Sequence, residues 1–170
     1  MNPKQKGSSF ERHICKQLSL WLTNDTREDC LWRSSMSGGR ATVAAAKGKR
    51  FATQAGDISA ISPEGEVLTS MFVVECKHYA NLNFDGLLTK TGKLYEFWEL
   101  LKKEAVKYHK KPMLVAKQNR KPTIIAVDAC GLKLLSLSNH VLLACPAYDL
   151  NIVAFDKFVE HAGHDFVAVV

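Results

Sequence analysis

The stretch FVVECKHY, Phe72 to Tyr79, constrains the chain most tightly. Its apolar opening and its β-branched and aromatic content predict a strand. Side chains alternate across a strand, so Val73, Glu75 and Lys77 share one face while Phe72, Val74 and Cys76 share the other. The second set is uniformly apolar and belongs against a helix. The first set begins apolar and ends in two opposite charges near the strand terminus. A buried ion pair stabilises little, because desolvation cancels much of the attraction. A salt bridge on a half-exposed sheet edge is the ordinary explanation of such a pair, and a further carboxylate argues for a different one.

That carboxylate is Asp57, in QAGDISAI. GDISAIS and EVLTSMFVVECKHY are predicted to be two strands joined at SPEG, where Pro63 and Gly65 supply turn chemistry. A hairpin of this kind sets the start of the first strand against the end of the second, so Asp57 approaches Glu75. Two close carboxylates repel unless a proton or a cation lies between them. Mg²⁺ suits such a pair, since it takes one or two protein carboxylates and keeps several waters. A neighbouring lysine then orients the attacking water or stabilises charge on a phosphate. Cys76 is excluded as a nucleophile, because its side chain points to the opposite face.

The flanking segments predict a mixed α/β sheet covered by helices. SSFERHICKQLSLWL reads as a first helix with Phe10, Ile14, Leu18, Trp21 and Leu22 at helical spacing. Ser8 and Glu11 match a capping box at its start. Glu11 also lies within roughly 40° of Cys15, Leu18 and Leu22 on the helical wheel, in the buried arc, where an unpaired carboxylate is costly. CLWRSSMSGGR reads as a short strand leaving into a turn. KLYEFWELLKKEAVKYHK is a strongly amphipathic helix with Leu94, Trp98, Leu101, Ala105 and Tyr108 in one stripe. MLVAK and TIIAV follow as strands, then HVLLACP as a strand and VAFDKFVEHAG as a last helix. At 170 residues the chain is one domain, 1–170, with a core over about 7–128 and a C-terminal extension over 129–170.

The formal charge is +6, which fits a polyanionic partner. Lys47, Lys49 and Arg50 precede Asp57, Lys117, Asn119, Arg120 and Lys121 follow the amphipathic helix, and Arg33 and Arg40 bracket SSMSGG. Each group is by default a solvated face, and nearness to the carboxylates favours phosphate contacts. The five cysteines are odd in number and lack a C-x-x-C pair, against both a disulfide framework and a cysteine zinc site. No apolar run is long enough to span a membrane, so a reduced, cytoplasmic protein is expected. The six histidines show no ligand spacing; His78 alone lies near the carboxylates.

GD followed by ECK resembles the signature of the PD-(D/E)XK nuclease superfamily, closest in appearance to its Holliday-junction-resolvase-like and phage-encoded endonucleases. The resemblance covers residues 7 to 128, and Gly56 stands where proline often does. It implies a restriction-endonuclease-like core in αβββαβ order and a metal-dependent endonuclease acting on DNA in a bacterial or phage-infected cell. It further implies that Asp57 and Glu75 bind Mg²⁺ or Mn²⁺, with the main-chain carbonyl of Cys76 and the carboxylate of Glu11 completing the shell. It implies too that Lys77 assists the water, that branched DNA is the substrate and that a homodimer can form. A nicking or phage-defence nuclease of the same superfamily, or a DNA-binding module that kept the fold and lost the chemistry, are the alternatives.

Overall fold

Helix α1 runs from Pro3 to Leu22 in the computed structural model, which describes residues 3–34 and 55–163. Proline suits a first helical turn, where its missing N–H removes no bond. The predicted start at Ser8 is therefore too late. Ser8 lies inside the helix, its N–H already in reach of the i−4 carbonyl, and no capping box with Glu11 forms. The apolar stripe of α1 is buried as predicted, with Ile14 and Leu18 fully enclosed.

A short ribbon follows, in which β1 (Leu31–Arg33) pairs antiparallel with β2 (Ile58–Ala60). The next segment departs from the predicted hairpin. Residues Pro63–Met71 are helix α2. Ser62 is its N-cap residue, Pro63 opens the first turn, and Glu64 and Glu66 lie where the positive end of the helix dipole favours acids. SPEG thus starts a helix rather than closing a turn, and the buried Leu68 packs inward.

Strand β3 (Phe72–Tyr79) begins directly after α2. A short helix α3 (Gly86–Thr89) and the long helix α4 (Gly92–Lys107) lead back to β4 (Lys111–Gln118). β3 and β4 are parallel, and a helical crossover is the connection that a parallel pair requires. β5 (Thr123–Val127), helix α5 (Ala129–Leu134), β6 (Val141–Cys145), β7 (Leu150–Ala154) and helix α6 (Phe155–His161) complete the described chain. The main sheet has the order β3-β4-β5-β7-β6. The stretch beyond Asp128 is therefore built into the sheet, with β7 lying between β5 and β6.

Strand alternation divides the interior into two cores. Phe72, Val74, Cys76, Met113, Val115, Ile125 and Val127 pack with α1, α5 and α6. Val73, Leu114, Ala116, Ile124 and Ala126 pack with Leu94, Trp98, Leu101 and Ala105 of α4. Enclosing side chains as large as Trp98 and Phe72 contributes roughly 2–3 kcal/mol each. The indole N–H of Trp98 also donates to the Tyr148 carbonyl at 3.0 Å, tying α4 to the turn between β6 and β7. The result is a mixed α/β sheet with helices on both faces, consistent with a restriction-endonuclease-like core. No helix among the described residues is long and apolar enough to cross a membrane. All five cysteines are free.

Candidate active site

β3 is an edge strand, and its free edge is where the site forms. The Asp57 N–H donates to the Val74 carbonyl at 2.8 Å, and the Cys76 N–H donates to Asp57 Oδ2 at 2.9 Å. Asp57 is thus fastened to β3 by its main chain and its carboxylate together. It reaches Glu75 as the sequence predicts, but by another route. An isolated parallel bridge between Gly56 and Val74 brings it there, not a hairpin.

Gly56 makes this approach possible. Its φ is +78°, and a Cβ there would stand 2.4 Å from the Val74 carbonyl oxygen. Its N–H donates to Glu104 Oε1 at 3.1 Å. A proline has no N–H to donate and holds φ near −65°, so in this chain the position excludes the residue common in the superfamily.

Lys77 completes the constellation. Its ammonium contacts Glu75 Oε1 and lies 3.4 Å from Asp57 Oδ2. All three side chains are about one fifth exposed. The ammonium is also 5.7 Å from the ring centre of Phe97 on α4, a cation–π distance. Burial, and then the charge of Asp57, push the Glu75 carboxyl up to about 7 despite the contact with Lys77. Burial pulls the Lys77 ammonium down, but Glu75 and Asp57 outweigh it and the net shift is upward. Lys77 is thus held firmly as a cation, and the Glu75 carboxyl is poised to accept a proton.

The donor set fits a hard divalent cation. Two carboxylates meet at an open strand edge, where an ammonium now balances them. In a strand, the N–H and C=O of one residue face the same side. The Cys76 N–H faces Asp57, so its carbonyl faces that edge too, away from β4. The Cys76 thiol is fully buried among the α1-side core, and burial pushes it well above its ordinary value, as the alternation of β3 requires. Among the described residues, no group of three or more His, Cys, Asp or Glu is placed to hold a metal. Two carboxylates with main chain and water would suffice for Mg²⁺, which takes few protein ligands.

The other predicted residues are distributed as follows. Glu11 is not gathered with Asp57 and Glu75 but accepts from Arg33 Nε at 2.9 Å. Each thereby finds the partner that a half-buried charge needs. Lys117 stands opposite His78 in the β3–β4 register, and Asn119 N donates to the Tyr79 carbonyl. Their alternation sets Lys117 and His78 on the α1 side of the sheet, across from Lys77. Burial and the neighbouring Lys6 and Lys117 lower the His78 imidazole. Arg120 and Lys121 are exposed in the turn that follows. Arg40, Lys47, Lys49 and Arg50 lie outside the described residues.

Three contributors escape sequence reading. Glu104 positions Gly56, Phe97 supports Lys77, and Lys6 contacts Asn119 Oδ1. The one available signal is that Glu104 borders the buried stripe of α4, three residues after Leu101. The groove between α1 and α6, lined by His13, Gln17, Phe155 and Val159, contains none of these residues. The carboxylates lie instead at the β3 edge, each about one fifth exposed.

An edge strand that brings Glu75 and Lys77 beside an aspartate bridged to the same strand, within a helix-covered mixed sheet, is the arrangement of the PD-(D/E)XK superfamily signature. The chain belongs to the family described as "Phage putative PDDEXK endonuclease", whose model matches residues 2–166. No curated protein and no solved structure matches it.

Proposed function

We propose that the chain is a Mg²⁺-dependent DNA endonuclease that hydrolyses phosphodiester bonds and selects branched DNA such as Holliday junctions. The convergence of Asp57, Glu75 and Lys77 at the β3 edge is the observation that supports it. In this reading Asp57, Glu75 and the Cys76 carbonyl hold Mg²⁺, for which Mn²⁺ substitutes. The cation, when bound, polarises the phosphate and makes a nucleophile of water at neutral pH. Lys77 orients that water and stabilises charge developing on the phosphate, held in position by Phe97. Glu104 keeps Gly56, and through it Asp57, against β3. Glu11 and Arg33 neutralise one another as a half-buried pair. Glu11 would join the cation's shell by releasing Arg33, whose guanidinium would then be free for a phosphate. Lys117, Asn119, Arg120 and Lys121, with Arg40, Lys47, Lys49 and Arg50, carry the remaining phosphate contacts.

The test is incubation with a four-way junction and a linear duplex of the same sequence, in Mg²⁺ and in chelator. Cutting of the junction alone, and only with Mg²⁺, is the expected result. Equal cutting of both substrates removes the branched-DNA preference and leaves a general endonuclease. Tight binding without cleavage in any divalent cation reduces the chain to a binding module.

A further inference from the structure

The β1–β2 ribbon carries a feature that the carboxylates do not explain. Leu31 and Ile58 face inward and are almost fully buried, but Trp32 between them in the alternation points out and is 52% exposed. Exposing half of the largest apolar side chain is costly. The other two tryptophans, Trp21 and Trp98, are enclosed in the cores.

The ribbon is fixed to the site. Trp32 stands opposite Ser59 in the register. Ser59 Oγ is 2.6 Å from Ser34 Oγ, and the Ser34 N–H donates to the Asp57 carbonyl at 2.7 Å. Ser59 is two residues from Asp57, about 7 Å of extended chain. An exposed indole is thus carried on the ribbon that leads directly into Asp57, the carboxylate that faces the scissile phosphate in the proposed reaction. Ile61, also exposed, lies just past the end of β2. Together the two side chains expose on the order of 200 Å². A stable protein interface takes roughly 800 Å² from each partner, so this face is too small for one, while its area matches one planar ring. Nucleobases stack on such rings irrespective of sequence, and a chain of charge +6 attracts the backbone that carries them.

We propose that Trp32 is a stacking platform for an unpaired base of the DNA strand lying at the site, within one nucleotide of the scissile phosphate. It makes single-stranded or unstacked DNA the preferred partner of this edge, as at the crossover of a branch. The inference rests on the nuclease reading for the identity of the strand, but its test does not depend on cleavage. Trp32 is the one tryptophan that a ligand can reach, so its fluorescence reports stacking directly.

Oligothymidylate titrated into the full chain in chelator, followed by both tryptophan emission and anisotropy of a labelled strand, tests it. Quenching that saturates with binding is expected, with little quenching by a blunt duplex. Trp32→Ala is expected to weaken single-strand binding about tenfold and to leave duplex binding within about twofold, while Trp32→Phe retains most of the affinity. Binding without quenching, or no single-strand binding at all, overturns the platform, as does equal affinity of W32A and wild type. Cleavage in Mg²⁺ without quenching removes the platform and keeps the nuclease; quenching without cleavage in any divalent cation keeps the platform and removes the nuclease.

Discussion

β3 and β4 are parallel neighbours of equal length, yet they carry opposite chemistry at matched positions. Glu75 pairs in register with Leu114, and Lys77 with Ala116. Leu114 and Ala116 are fully buried on the α4 face, while Glu75 and Lys77 occupy the same face one strand away. β4 lies between two strands, and an ion pair there would have neither solvent nor free main chain to satisfy it. β3 has one free edge, and Asp57 uses it: the Val74 carbonyl and the Cys76 N–H, which a further strand would consume, hold the aspartate instead. Charge is tolerated on this sheet where the edge is open and something binds to it. The site is thus a consequence of strand order as well as of residue type.

Four experiments press on that contrast, from the largest effect to the smallest. Lys77→Ala takes away the cation that distinguishes β3 from β4. Cleavage is expected to fall by about 10³-fold with DNA binding in chelator largely intact; near-normal turnover would remove Lys77 from the mechanism. Gly56→Ala forces a Cβ onto the Val74 carbonyl at a positive φ and pushes Asp57 off the edge. A stability loss of about 2–4 kcal/mol in denaturant melts, together with lost cleavage, is the expected outcome. Wild-type stability and activity would show that the edge does not need glycine.

The third experiment is a pH series. The Glu75 carboxyl is raised in the folded protein to about 7 from 4.5. Its contribution is fully present below pH about 4.5 and is lost as pH rises through about 7, because the folded site must then ionise a buried carboxyl. The metal-free protein should therefore lose up to about 3 kcal/mol across that window, and Glu75→Gln should flatten the trend. A profile identical in both proteins would contradict the assignment. The smallest effect concerns the far end of β4. Neutralising Lys117, Arg120 and Lys121 together should flatten the salt dependence of DNA binding by a slope of about 3 if each meets one phosphate; an unchanged slope would return them to ordinary solvated residues.

What the sequence shows in advance follows from periodicity. The two-residue alternation of β3 correctly separates Glu75 and Lys77 from Cys76, and the α4 stripe is buried as read from Leu94 to Ala105, while Tyr108 stands past the helix end and is only partly buried. Local patterns mislead where a longer-range element decides. Ser8 and Glu11 match a capping box, but Pro3 starts the helix earlier and Arg33 claims the carboxylate. EVLTSM reads as strand because Val67, Leu68 and Met71 continue the apolar run into β3. The proline and paired glutamates of SPEGE instead carry a helix start. The approach of Asp57 to Glu75 is right for a wrong local reason, since a bridge across a strand edge has no period to reveal it. Glu104 looks like any surface glutamate, because its role depends on where Gly56 arrives. β7 is a five-residue run that only its place between β5 and β6 identifies as a strand.

Calorimetric titration of Mn²⁺ into the wild-type protein, Asp57→Asn and Glu75→Gln at pH about 7.5 tests the central claim most directly. The account predicts saturable binding to the wild type and its loss in both variants, each still folded by circular dichroism. Equal Mn²⁺ binding by all three would contradict a metal site at the β3 edge and return Asp57, Glu75 and Lys77 to a structural ion cluster.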